Sequence, residues 1–107
     1  APTAEALMRS RYSAYALGEI EYLITTLPLM DRKKFDRRSA QVWSEQSEWQ
    51  GLEIIATKDS GKGDKAKATV EFIAKYKIQD EEIKHHEIGM FQKAGDRWFF
   101  LDGKVVE

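Results

Sequence analysis

Arg11, Glu87, Asp102 and the adjacent pair His85-His86 are the residues of this sequence whose types could do chemistry. A carboxylate or imidazole held in a pocket, with its pKa moved toward neutrality, can act as a general base or acid. Glu87, Asp102 and His86 are the parts available for that work. A guanidinium can hold an anion through two parallel hydrogen bonds. Two adjacent residues on a strand point to opposite faces, so His85 and His86 are poorly placed to share one metal ion. No Ser/His/Asp set, phosphate loop or metal motif accompanies them. The chain has no cysteine, which removes disulfides, thiolate chemistry and any cysteine-based zinc site within this sequence.

Arg11 is out of place by pattern. On a helical wheel of about 100° per residue, Ala4, Leu7, Met8, Ala14 and Tyr15 share one arc, with Arg11 at its centre. Arg9 falls on the far side, one turn from Glu5, where an (i, i+4) pair forms. A guanidinium on the core face demands carboxylates or carbonyls, because an isolated buried charge is very costly. Alternation along the strands puts Glu87 with Gly89 and Phe91, and Asp102 with Trp98 and Phe100. Arg11 is therefore expected to meet Glu87, Asp102 or both. That contact is either a structural ion pair stitching helix to sheet or one wall of a ligand pocket. Arg11 beside Glu87 would depress that carboxylate's pKa and weaken it as a base. His86 should face away from Glu87, outside the interior.

The elements that position these residues follow from punctuation and period. Thr3 is a helix N-cap, with Glu5 in the first turn, and Gly18 ends that helix after about Leu17. A short helix fits Glu19 to about Thr25, before Pro28. Asp31 can cap a third helix reaching about Ser47, with Phe35, Val42, Trp43 and Gln46 at loose three-four spacing. Strands then fit Trp49 to Lys58, Ala66 to Ile78, Ile83 to Lys93 and Arg97 to Asp102. The turns between them are Ser60-Gly61-Lys62-Gly63-Asp64, Gln79-Asp80-Glu81 and Ala94-Gly95-Asp96. The second strand alternates most regularly, with Ala68, Val70, Phe72, Ala74 and Tyr76 on one face. Three helices followed by a four-stranded antiparallel meander make an α+β plan.

The bulk numbers agree with one globular domain over residues 1–107. Hydrophobic residues are 42%, charged residues 33%, and the formal net charge is −1. No basic stripe argues for nucleic acid, and no apolar run approaches the ~20 residues of a membrane span. Arg32-Lys33-Lys34, followed by Arg37-Arg38, reads as a solvated helix face. No signal peptide is visible, so a cytoplasmic location is expected.

Several motifs together resemble the YchJ family: Leu7-Met8-Arg9-Ser10-Arg11-Tyr12-Ser13-Ala14-Tyr15, Tyr22-Leu23, Trp49-x-Gly51-Leu52-Glu53-Ile54, Val70-Glu71-Phe72-x-Ala74-x-Tyr76, His86-Glu87-x-x-x-Phe91 and Arg97-Trp98-x-x-x-Asp102-Gly103. The resemblance spans nearly the whole chain, in order. It implies a nuclear transport factor 2-like cone, in which a curved sheet wraps around helices and leaves a pocket. Family members usually also carry zinc-binding SEC-C motifs, rich in cysteine. This sequence contains none, so it offers no cofactor site of that kind. Two departures lie near the implied pocket: Gly89 where the family often has Ser, and Thr26-Leu27 where it often has Trp-His.

These readings point to a binding or scaffold domain rather than an enzyme. The alternative is a small-molecule-binding or hydrolase/isomerase-type pocket in the cone. Candidate pocket residues are Arg11, Tyr12, Tyr15, Glu87, Trp98 and Asp102; no catalytic residue is assigned. The aromatics could form a pocket wall, although their spacing fits core better. Ile73, Ile88, Met90, Phe99 and Leu101 should face outward together, making the outer sheet a candidate surface for a protein partner or a homodimer.

Overall fold

The computed structural model describes residues 2–61 and 63–106, with the backbone alone at position 64. Lys62, in the first expected turn, lies outside them. Helix α1 (Ala4–Leu17) starts where Thr3 Oγ1 accepts a hydrogen bond from Ala6 N at 3.0 Å. It stops at Gly18, which takes the left-handed conformation at φ 75°. Glu19 N then donates back to Ala14 O at 2.8 Å, closing the last carbonyls in a Schellman turn. Helix α2 covers Ile20–Thr25 and lays Leu23 and Ile24 inward.

The third helix begins later than expected. Leu29–Lys34 is a 3-10 helix, Phe35 is extended, and α3 covers Arg37–Gln46. Its cap is Asp36, whose Oδ1 accepts from Ser39 N at 3.0 Å, rather than Asp31. Phe35 and Ala40 lie at the N′ and N4 positions of α3 and belong to one apolar cluster with Ala14 and Leu23. That staple fixes the entry of α3 where the sequence alone suggests one longer helix. Arg32, Lys33 and Lys34 thus sit in the 3-10 segment, ahead of α3.

Four strands follow: β1 (Glu48–Ser60), β2 (Lys67–Ile78), β3 (Glu81–Ala94) and β4 (Arg97–Val105). They form one antiparallel sheet in the order β1-β2-β3-β4. Register shifts at Trp49/Gly51, Ile54/Ala56 and opposite Met90/Phe91 mark bulges, which bend and twist a sheet. The α+β class, with helices packed on a curved antiparallel sheet, is as expected. Ala68, Val70, Phe72, Ala74 and Tyr76 are all buried, as their alternation requires. Ala4, Leu7 and Met8 of α1 pack on Ala68, Val70, Phe72 and Phe91 to make the main core. No helix among the described residues is long and apolar enough to cross a membrane.

Candidate functional site

Beyond that core, the second half of α1 faces a cavity of about 220 Å³ against the inner side of the sheet. Arg11, Tyr12 and Tyr15 come from α1, Trp43 from α3, Trp49 from β1, and His85 and Glu87 from β3. Side chains in hydrogen-bond series hold these elements together. Ser44 of α3 donates its hydroxyl to the carbonyl of Tyr15. Trp49 Nε1 donates to the carbonyl of Ser44 at 3.2 Å. Tyr12 Oη accepts from the backbone N–H of Gly51, beside the first bulge of β1, at 2.8 Å. The rings of Tyr15, Trp43 and Trp49 then meet at centroid distances of 4.9, 5.4 and 6.0 Å.

Arg11 is buried, as its place on the wheel requires, but its partners are not the expected ones. Nη1 donates to Leu23 O at 2.9 Å and to Thr26 Oγ1 at 2.5 Å. Its guanidinium lies over the Phe100 ring, 4.5 Å from the centroid. Among the described residues no carboxylate reaches salt-bridge distance of it. Burial pulls the guanidinium below its usual pKa, opposed by Tyr15, Tyr22 and Glu87. The same burial pushes the Tyr15 phenol up, with Arg11 opposing. Tyr12 is also raised by burial, opposed by the hydrogen bond from Gly51. Thr26, one of the two departures noted in the sequence, is thus the side chain that receives the arginine.

Glu87 lines the cavity, with its carboxylate engaged by a neighbour on its own strand. His85 Nε2 and Glu87 Oε2 are 2.7 Å apart. Both side chains are largely covered, at 26% and 18% exposure. Gly103 makes this arrangement possible: a Cβ there would sit 2.0 Å from Glu87 Oε1. Gly103 pairs with Gly89 across β3 and β4, where a Cβ at Gly89 would meet the rings of Phe91 and Phe100. His86 turns outward, as expected, and meets Glu71 Oε2 at 2.6 Å on the outer face.

Asp102 is not part of the site. It pairs with Met90 and is exposed, and its Oδ1 accepts from Gly103 N at 2.8 Å. The bulge at Leu101 is the reason. Phe100 faces Phe91 while Asp102 faces Met90, so one extra residue reverses the alternation, and Gly103 instead of Asp102 meets the interior. Trp98 lies against the main core, does not line the cavity, and keeps a buried Nε1 without a hydrogen-bond partner. Of the outer-sheet candidates, Met90 and Leu101 are each 37% exposed. Ile73, Ile88 and Phe99 are half-buried.

The family model for the YchJ middle, nuclear transport factor 2-like domain matches residues 3–103. The chain belongs to the YchJ family. A UPF0225 protein of Geobacter sulfurreducens is 46% identical over 105 residues, covering 98% of this chain and 65% of that protein. A UPF0225 protein of Actinobacillus succinogenes is 39% identical, covering 96% and 66%. The chain thus spans just under two thirds of the length of these two relatives. The solution structure of a SEC-C motif containing protein from Rhodopseudomonas palustris superposes with a TM-score of 0.86. It is 39% identical and covers 99% of this chain and 80% of that one. The crystal structure of a SEC-C motif containing protein from Psychrobacter arcticus gives 0.80 at 35% identity, covering 98% and 62%.

The residues present do not fit the zinc that a SEC-C motif would bring to a YchJ protein. The sequence has no cysteine. Among the described residues no group of three or more His, Cys, Asp or Glu comes together. His85 and His86 are each engaged by a carboxylate on opposite faces of the sheet. The site residue overlooked in the sequence is His85. The alternation that sends His86 outward sends His85 inward beside Glu87, so the signal was present.

Proposed function

We propose that this YchJ domain is a non-enzymatic binding module whose ligand is a small molecule seated in the cavity under the second half of α1. One observation carries this reading. Arg11 holds a buried positive charge at the cavity wall with only neutral oxygens for partners. A carbonyl and a hydroxyl meet part of its hydrogen-bonding demand but supply no opposite charge, which an anionic ligand would bring. The lining is mainly aromatic with a few convergent polar groups, the usual make-up of a small-molecule site. In longer relatives the ligand domain would sit beside a SEC-C element.

The second reading is a hydrolase- or isomerase-type pocket. It is favoured by one feature, the His85–Glu87 pair at 2.7 Å, which could move a proton. Binding takes precedence because Glu87, the carboxylate that lines the cavity, is already engaged by His85.

The test is a screen of single-ring fragments of every charge type against the chain, read by tryptophan fluorescence and backbone amide shifts. Changes in Trp43 and Trp49 emission, with shifts at Gly103 and Ala74, are expected. If no fragment of any charge perturbs them, the cavity is not a ligand site and the reading fails.

A further inference from the structure

Resting on that reading, we propose that the cavity accepts a one-ring aromatic monocarboxylate, with its carboxylate on Arg11 and its ring against Trp43 and Trp49. Size comes first. An apolar cavity of about 150 Å³ takes up benzene, so the 220 Å³ here has room for one ring and a small substituent. A fused multi-ring ligand would exceed it.

Charge comes next. Among the described residues, the hydrogen bonds that Arg11 makes to protein all leave from Nη1. Nε and Nη2 remain, and together they form the edge of the guanidinium fork that matches a carboxylate. Stacking on Phe100 and the two bonds from Nη1 hold the plane in place before any ligand arrives. Arg11 is the only Lys or Arg among the cavity residues, and Glu87 shares the space. Glu87, engaged by His85 at 2.7 Å, repels a doubly charged phosphate more than a singly charged carboxylate.

Shape completes the argument. Tyr15 and Trp43 meet at 61° between ring planes, and Trp43 and Trp49 at 60°. A further aromatic ring can make stacked or edge contacts with these rings, which a flexible chain cannot.

The experiment is titration calorimetry of the whole chain with benzoate, benzamide, benzylamine and inorganic phosphate. Benzoate should bind at least about tenfold tighter than benzamide, the margin of a charge-assisted pair over a neutral one. Arg11→Lys, which keeps the charge and loses the fork, should remove most of that margin. If this variant does not fold, the benzoate-to-benzamide ratio of the unaltered chain decides alone. Equal affinity for the two, or tighter binding of benzylamine, overturns the carboxylate assignment and leaves a ligand site. Phosphate binding as tightly as benzoate overturns the aromatic part. Failure of all four probes overturns both the assignment and the ligand-binding reading beneath it.

Discussion

The two halves of α1 pack on the same sheet and do opposite things. Ala4, Leu7 and Met8 pack onto Ala68, Val70 and Phe91 in the main core, and of these three helix residues only Met8 also reaches the cavity wall. One to two turns later, Arg11, Tyr12 and Tyr15 meet tryptophans, a histidine and a glutamate, and a cavity remains. The cause is side-chain shape and charge. Aliphatic groups interdigitate to native density. In the second half, tyrosine and tryptophan rings surround a cation that needs room for its bonds, and space between them stays unfilled. One helix therefore divides its work between a half that stabilises and a half that keeps a site open.

That division can be broken by mutation. The largest effect is expected in the closed half. Phe91 is 1% exposed, and Phe91→Ala should destabilise by about 3–5 kcal/mol in urea denaturation. Arg11→Met, in the open half, should cost less, about 1.5–3 kcal/mol, the range for a hydrogen bond to a charged group. The loss stays moderate because removing the cation also removes its desolvation penalty. If Arg11→Met proved as damaging as Phe91→Ala, the two halves would not differ in kind and Arg11 would belong to the core.

Much of this contrast is written in the sequence. The wheel placed Arg11 among apolar residues, and the alternation of β2 named its buried face. What failed was parity beyond Leu101. A bulge depends on how β4 pairs with β3, and no local pattern in Arg97 to Asp102 reveals it. Asp102 was therefore aimed inward when Gly103 takes that place. The partners of Arg11 failed for a related reason. Acids on the strands are the conspicuous oxygens in the sequence, whereas the carbonyl of Leu23 and the hydroxyl of Thr26 are presented by the end of α2. Asp36, with Phe35 before it and Ala40 four residues on, carried a readable capping signal that Asp31 obscured.

The smaller predictions sharpen the contrast inside the open half. Tyr12→Phe removes the acceptor for Gly51 N beside a β1 bulge. It should cost about 0.5–1.5 kcal/mol, measured again in urea. No measurable loss would mean that water replaces the hydroxyl at no cost, and that the cavity edge is wetter than its aromatic lining suggests.

The last effect appears only in alkaline solution. Tyr15 has its phenol pKa raised, first by burial, with Arg11 opposing. Above pH ~10, the ordinary tyrosine value, the unfolded chain gives up this proton before the folded one does. Stability tied to Tyr15 is therefore complete below that pH and falls as pH rises through the folded-state pKa. Tyr15→Phe should flatten this part of the alkaline decline, seen by comparing urea midpoints of the two chains across that range. Tyr12→Phe shares the direction, because its phenol is also raised by burial. If the profiles of the unaltered chain and Tyr15→Phe run parallel, the Tyr15 phenol is as well hydrated folded as unfolded. The ring slot beside Arg11 would then hold water freely, and the guanidinium would lose the dry surroundings that give a carboxylate its advantage there.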